Sequence, residues 1–450
     1  MTYVSFVADD LTGASDVLAQ AHRHGLDAVL VVGDGSRQLP TDCDVVGIAG
    51  PSRSLGGAAF DALVRAQLEQ IATADADVLI YKVCSTFDSS SARGSIGRGI
   101  ELLHERFPGH GPIAIAPAQP DFGRYTAFSN HFAGYSGGAH RLDRHPVMAG
   151  HPSTPMDEAD LRQVIAGQSL TGEVPEAIHL PSYADGSFRE RWGTLRRSSR
   201  AAFVVDAVEE GHLDALALAL REDTVREGGP AIVVGSGGVM AALARTAGER
   251  SGTATATATA NATATATVTA AAQSATGPVL AVSASASSTT AAQIADAIAH
   301  GWAELAVPAQ VLNGDDPSRL NELEQRTAAW LDAGRNVIVH TTRGTQDPRY
   351  AAAGPLDAAY VGELLGTVAA NMAAKGLTRD IAVLGGDTSS HALLAMGVSE
   401  LRVSSQFVTA APICRTDSDA AVAGCRLLLK GGQVGPVDVL NRFAQTSTSA

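Results

Sequence analysis

Tyr3-Val4-Ser5-Phe6-Val7-Ala8-Asp9-Asp10-Leu11-Thr12-Gly13 is the stretch on which the reading of this chain turns. Residues 3–7 carry no charge, the pattern of a parallel strand covered on both faces. Residues 14–24 then place Val17, Leu18 and Ala21 at helical spacing and stop at Gly25, a favourable C-cap. Asp9, Asp10, Thr12 and Gly13 therefore fall between the carboxyl end of a strand and the amino end of a helix. In open α/β sheets that junction is a ligand crevice, because unpaired backbone N–H groups meet the strand ends there. Two adjacent carboxylates are poorly suited to hold an anion. They suit Mg²⁺ binding or proton abstraction from a hydroxyl. A helix cap by Asp10 or Thr12 explains one such side chain, and the second carboxylate points to function.

Working outward, strand patterns at 28–32, 44–49, 78–83 and 113–116 alternate with helical stretches at 58–71 and 96–107. Such βα repeats predict a mostly parallel, doubly wound α/β sheet. Residues 121–155, rich in Gly, His, Pro and aromatics, break the pattern and read as a long functional loop or small insertion. Alternation resumes at 202–205, 213–220 and 231–234. Residues 251–276 are almost only Thr and Ala, with nothing large to bury, and read as a flexible linker. A second α/β block follows, with strands at 278–283, 337–341 and 381–384 and helices at 290–300 and 357–375. The expected organisation is a substrate-binding domain over 1–248, a linker over 249–276 and a nucleotide-binding domain over 277–450.

The 450 residues suffice for two or three cores, and 45% hydrophobic with 18% charged residues is ordinary for a globular chain. A formal net charge of −14 argues against nucleic acid or an anionic membrane as partner. Cys43, Cys84, Cys414 and Cys425 form no Cys-x-x-Cys pair, which disfavours a zinc ribbon or disulfide scaffold. No basic segment with a long apolar core opens the sequence, and no apolar run is long enough to span a bilayer. A cytoplasmic protein is expected. A homodimer is carried as an expectation with no residue behind it.

Lys82-Val83-Cys84-Ser85-Thr86-Phe87-Asp88 follows another strand and combines a cation, hydroxyls and an acid. With Arg53 from the neighbouring strand end, Lys82 is placed to clamp a carboxylate, against the plain reading of two surface salt bridges. Gly235-Ser236-Gly237-Gly238 fails as a dinucleotide fingerprint, since Met240 stands where the third Gly or Ala belongs, and there is no P-loop. The second block offers three small-residue loops instead: Ser283-Ala284-Ser285-Ala286-Ser287, Gly385-Gly386-Asp387-Thr388 and Gly431-Gly432-Gln433-Val434-Gly435. Three in one block point to a phosphate or nucleotide site. His140, His145 and His151 match no zinc spacing.

ADDLTGASD, YKVCSTFDSS with the following GSIG, HPSTPM at 151–156, SASAS, GGDTS and GGQVG, in this order, resemble the four-carbon acid sugar kinase family over nearly the whole chain. The CSTFDS form resembles its 3-oxo-tetronate kinase branch. The chain departs from the family with SASAS for SGSCS, GGDT for GGET, GSIG for GNIG and GQVG for GNFG. Asp387 keeps charge with a shorter reach, and Ala284 in place of glycine tightens its loop.

The resemblance implies ATP-dependent phosphorylation of a terminal hydroxyl of a small sugar acid, with Mg²⁺. Asp9 and Asp10 are the catalytic candidates. Thr12, Gly13, Arg53, Lys82, Ser85, Thr86, Asp88, Arg124 and His151 are the substrate-binding candidates. Ser283, Ser285, Ser287, Gly385, Gly386, Asp387, Thr388 and Gly432 are the candidates for ATP. The favoured substrate is a 3-oxo-tetronate. D-threonate or D-erythronate phosphorylation and a non-catalytic sugar-acid binding protein are the alternatives.

Overall fold

In the computed structural model, residues 2–33, 35–135, 137–151, 154–227, 229–247, 275–314, 317–344, 347–348, 356–416 and 419–445 are described. The expected linker lies outside them except for Ala275 and Thr276. Ala275 is buried, and the Thr276 N–H donates to Asp380 Oδ2 at 3.0 Å, so the chain enters its second half already anchored.

Eleven strands fall in the first half: β1 Val4–Ala8, β2 Ala28–Val32, β3 Val45–Ala49, β4 Val78–Lys82, β5 Ile113–Ala116, β6 Arg124–Ala127, β7 Asn130–Tyr135, β8 Gly138–Arg141, β9 Glu176–Ile178, β10 Ala202–Val205 and β11 Ala231–Gly235. Seven follow in the second: β12 Val279–Ser283, β13 Ala303–Ala306, β14 Val337–His340, β15 Asp380–Leu384, β16 Glu400–Val408, β17 Ala411–Thr416 and β18 Arg426–Lys430. Val- and Ile-rich runs form strands buried on both faces because helices pack above and below them. The expected doubly wound, mostly parallel α/β architecture holds.

The same winding occurs twice. In the first half β1 lies between β3 and β4, with β2 beyond β3; in the second β12 lies between β14 and β15, with β13 beyond β14. Successive crossovers go one way from the central strand and then the other. Each half thus has a topological switch point where helices leave opposite faces and a crevice opens at the strand ends. Asp9 and Lys82 mark the first crevice; Ser283 and Gly385 mark the second.

The two sheets are not separate. The hairpin β16–β17 extends the second sheet in antiparallel fashion, and β16 pairs with β2 through Glu400↔Val31 and Leu401↔Leu30. One fifteen-stranded sheet results. Residues 121–155, read as loop or insertion, contain the small antiparallel sheet β6-β7-β8. Among the described residues, no helix is long and apolar enough to cross a membrane.

Candidate active site

Asp9 and Asp10 leave β1 together and diverge in role. Asp10 is the N-cap of the helix Leu11–Arg23, accepting the Gly13 N–H at 2.7 Å and the Thr12 hydroxyl. Asp9 caps nothing. Its N–H donates to the Lys82 carbonyl at 3.1 Å and its carbonyl accepts the Arg53 N–H at 3.0 Å, which fixes it between two neighbouring strand ends.

Arg53, buried in the short turn Ser52–Ser54, is the hub. Its Nε and Nη2 reach the two oxygens of Asp9 at 3.1 and 3.2 Å, Nη2 also pairs with Asp10, and Nη1 lies 3.9 Å from Asp88. The sequence reading set Arg53 and Lys82 against a substrate carboxylate; in the structure Arg53 first neutralises the protein's own aspartates. Lys82, also buried, donates to the Val83 carbonyl at 2.8 Å. A Cβ on Gly13 would stand 2.5 Å from Asp10 Oδ1 and 2.7 Å from Lys82 Nζ, so glycine is needed for these charges to close over the helix start.

The electrostatics separate the pair. Burial pushes the Asp9 carboxyl above the ordinary range, and Arg53 does not fully offset it. Burial also pushes Asp10 upward, but Arg53, Lys82 and the hydrogen bonds from Thr12 and Gly13 outweigh it and hold Asp10 low. One carboxylate thus stays ionised while its neighbour holds a proton more readily, the separation expected of groups with distinct tasks. Asp16, a third buried carboxyl, is pushed up by burial and accepts from Gln20 and Gln119 at 3.3 and 3.4 Å. Sequence reading passed over it, although it ends the same ADDLTGASD motif.

The loop after β4 brings Thr86 to Asp88 at 3.1 Å and holds Phe87 at φ 57, a left-handed conformation rare for a bulky residue and common at ligand sites. Ser85 offers its carbonyl to His131 Nε2 at 2.8 Å. Cys84 is not a nucleophile, since burial pushes its thiol up to about 11. Arg124 is buried and stacks over Phe122 at 4.7 Å, with burial depressing its basicity. His151 accepts the Thr154 N–H at 3.2 Å, and among the described residues no hydrogen bond or ion pair ties it to the aspartate cluster.

The candidate nucleotide loops converge as well. Ser283, Ser285 and Ser287 hydroxyls accept the N–H groups of Ser285, Ser287 and Thr289 at 3.3, 3.3 and 3.2 Å, stepping the chain into the helix Ser288–Ala299. Gly432 lies against them: a Cβ there would stand 2.8 Å from Ser285 Oγ. Gly385 adopts φ 127, open to glycine alone. Gly386 follows it and begins the helix Asp387–Ala395; the side chains of Asp387 and Thr388 are outside the described residues.

The two crevices meet. A Cβ on Gly386 would stand 3.4 Å from Arg53 Nη1 and 3.8 Å from Asp10 Oδ2. Ser390 Oγ accepts the Leu11 N–H at 3.2 Å, and His391 Nε2 lies 3.5 Å from Ser54 Oγ. The small β6–β8 sheet links both sides, with Tyr135 reaching Ser288 at 3.2 Å while His131 holds the Ser85 loop. Ser390, His391, Tyr135 and His131 were not legible as site residues, because each acts across a large sequence separation.

A carboxylate-bearing crevice pressed against small-residue loops at a second helix start can seat two ligands against one another, as a two-domain phosphotransferase requires. Comparison with known proteins agrees. Residues 4–243 match the sugar-binding N-terminal domain and residues 280–440 the nucleotide-binding C-terminal domain. The 3-oxo-isoapionate kinase of Paraburkholderia graminis is 32% identical, covering 96% of this chain and 92% of its own. The 3-oxo-tetronate kinase of Pseudomonas savastanoi pv. phaseolicola is 29% identical, covering 96% and 94%. A solved structure from Haemophilus influenzae, protein HI1011, superposes with TM-score 0.65 at 23% identity over 98% of both chains, a likeness of fold. The chain belongs to the four-carbon acid sugar kinase family and is a phosphotransferase acting on a sugar-acid hydroxyl.

Proposed function

We propose that the chain transfers the γ-phosphoryl group of ATP to a terminal hydroxyl of a 3-oxo sugar acid, with 3-oxo-tetronate the first candidate. The observation that carries this reading is the closeness of Gly386 to Arg53 and Asp10, where a Cβ would stand 3.4 and 3.8 Å from their side chains, which sets a nucleotide-type loop beside Asp10. The kinase names of the relatives supply the reaction class. Their 3-oxo acids supply the substrate class. A 3-oxo-isoapionate is the second reading, favoured by the 32% identity of that relative.

Phosphoryl transfer needs positioning and charge neutralisation more than covalent chemistry. Asp9, whose carboxyl binds a proton more readily, takes the proton of the attacking hydroxyl. Asp10 stays ionised and holds the Arg53 guanidinium in place. Thr12, Gly13, Lys82, Ser85, Thr86, Asp88 and Arg124, with His151, are assigned to the acid. Ser283, Ser285, Ser287, Gly385, Gly386 and Gly432 are assigned to the nucleotide, with Asp387 and Thr388 assigned alongside them from their place at the same helix start.

Mg²⁺ in such sites uses one or two carboxylates and completes its shell with phosphate oxygens and water. An ionised Asp10 beside Gly386 fits that donor set; among the described residues no group of three or more His, Cys, Asp or Glu forms a separate cage. When bound there, the ion supplies neutralisation of the phosphate charge. The test is ATP consumption with a panel of 3-oxo-tetronate, 3-oxo-isoapionate, D-threonate and D-erythronate. A kcat/KM led by a 3-oxo acid supports the reading; one led by threonate or erythronate replaces it.

A further inference from the structure

We propose that Lys430 is the polyphosphate-binding cation of the second half, a lysine held in the protein without a counter-charge until the nucleotide brings one. The inference rests on the reading that this half binds ATP.

Lys430 ends β18, beside the Gly385 strand end, and is fully buried. Its ammonium donates to the Gly431 carbonyl at 2.8 Å and to Thr290 Oγ1 at 3.4 Å, and Thr290 in turn donates to the Gly432 carbonyl at 2.8 Å. Every one of these partners is neutral. Most other buried cations are treated differently; Arg124, which among the described residues also pairs with no carboxylate, lies over the Phe122 ring and donates to the Phe122 and Gly123 carbonyls. Arg53 pairs with Asp9 and Asp10, Arg196 with Asp223 and Arg426 with Asp380, while Lys82 sits in the field of Asp10 and Asp16. Among the described residues no carboxylate pairs with Lys430. Asp380 and Arg426, the charged pair on β15 and β18, bind each other at the opposite end of these strands.

An unpaired buried ammonium is expensive, and a neutral hydrogen-bonding side chain would brace the Gly431–Gly432 turn at less cost. The position explains its retention. Lys430 lies directly behind the turn that touches Ser285 and Ser287, at the amino end of the helix Ser288–Ala299, where N–H groups and the helix dipole already favour an anion. A polyphosphate seated on that turn restores the missing charge balance. Burial brings the free lysine down to about 7, with no charged group among the described residues opposing it. At pH 8 the lysine is then mainly neutral, and an arriving polyphosphate draws a proton onto it.

The experiment is calorimetric titration of the full chain with ATP and ADP at pH 8, in two buffers of different ionisation heat. Wild-type protein takes up a proton on binding. Lys430→Met, with its ligand-free melting point showing a folded protein, binds both nucleotides roughly 10- to 100-fold more weakly and without that uptake. Equal affinity and equal uptake in the two proteins overturns the inference while leaving ATP binding standing. If the variant does not fold, the wild-type measurement decides alone, and binding without proton uptake overturns it. Failure of wild-type protein to bind either nucleotide overturns instead the reading that this half is a nucleotide site.

Discussion

Ser390 accepts the backbone N–H of Leu11 at 3.2 Å, a hydrogen bond between residues 379 apart in the chain. Leu11 opens the helix whose N-cap is Asp10, so one of the unsatisfied donors at that helix start is met from the nucleotide half. The bond fixes the distance between the aspartate pair and the Gly385–Gly386 turn. Ser390→Ala removes it. Stability should fall by about 1 kcal/mol, the usual cost of a lost cap. The fall in kcat/KM should exceed what that loss explains, because the halves lose a point of registration; denaturant unfolding and steady-state rates measure the two separately.

Asp9→Asn and Asp10→Asn should both fold, since asparagine keeps the size of the side chain and, at Asp10, caps a helix about as well as aspartate. Asp9→Asn should lower kcat by roughly 10²- to 10⁴-fold, the contribution of a positioned general base. The acid limb of the pH profile reports on the base. Because the Asp9 carboxyl is raised, kcat/KM in wild-type protein should climb with pH at values above the ordinary aspartate range. Asp10→Asn should retain that limb and Asp9→Asn should lose it; the opposite assignment would exchange their roles.

Gly13→Ala tests the closeness of Lys82 and Asp10. The added methyl meets Asp10 Oδ1 and Lys82 Nζ inside van der Waals contact, so one of the two charges must move. We expect a loss of about 1–3 kcal/mol, as for overpacking elsewhere, together with a larger fall in activity than in stability. Thermal melting paired with kcat/KM tests it, and an alanine variant with wild-type turnover would show that the closure is not needed.

Lys430 also gives the ligand-free protein a pH signature. The unfolded lysine titrates near 10.5 and the folded one at about 7, so between these values the unfolded chain binds the extra proton. Stability from this group is therefore lowest below about pH 7 and rises as pH climbs towards the ordinary lysine range. Lys430→Met should melt higher than wild type at neutral pH, by on the order of a few degrees, with the difference shrinking by pH 9. Parallel melting curves across pH 6.5–9 decide it.

Most central strands of both halves were legible because parallel strands buried on two faces must be continuous apolar runs, as 78–82 and 279–283 are, whereas β9, β13 and β18 were not read. Both switch-point motifs were legible for a related reason: a strand ending in Asp-Asp or in Ser-Ala-Ser puts polar side chains only where a crevice can use them. The hairpin β16–β17 was not read. Its strands are partly exposed and their pairing shifts register at Val403–Ser405 and again before Val408, so alternation is blurred. The joining of the two sheets through Leu401 and Leu30 leaves no local trace at all.

Among site residues, those in a turn beside a strand were visible, as Lys82 and Gly385 were. Ser390, His391 and Tyr135 were not, because helix and strand positions look structural until the partner half is in place. Residues 426–430 were not read as a strand, so Lys430 was not singled out. Its burial with only a carbonyl and a hydroxyl as partners distinguishes it.

The central claim is phosphoryl transfer from ATP to a 3-oxo sugar acid at the Asp9–Asp10 crevice. The most direct measurement is ³¹P NMR of the wild-type protein with ATP, Mg²⁺ and 3-oxo-tetronate or 3-oxo-isoapionate, run beside Asp9→Asn. The account predicts a new phosphomonoester resonance on the acid's terminal hydroxyl, formed in step with ADP and nearly absent in the variant. ADP and inorganic phosphate with no phosphomonoester, or equal product from Asp9→Asn, would contradict it.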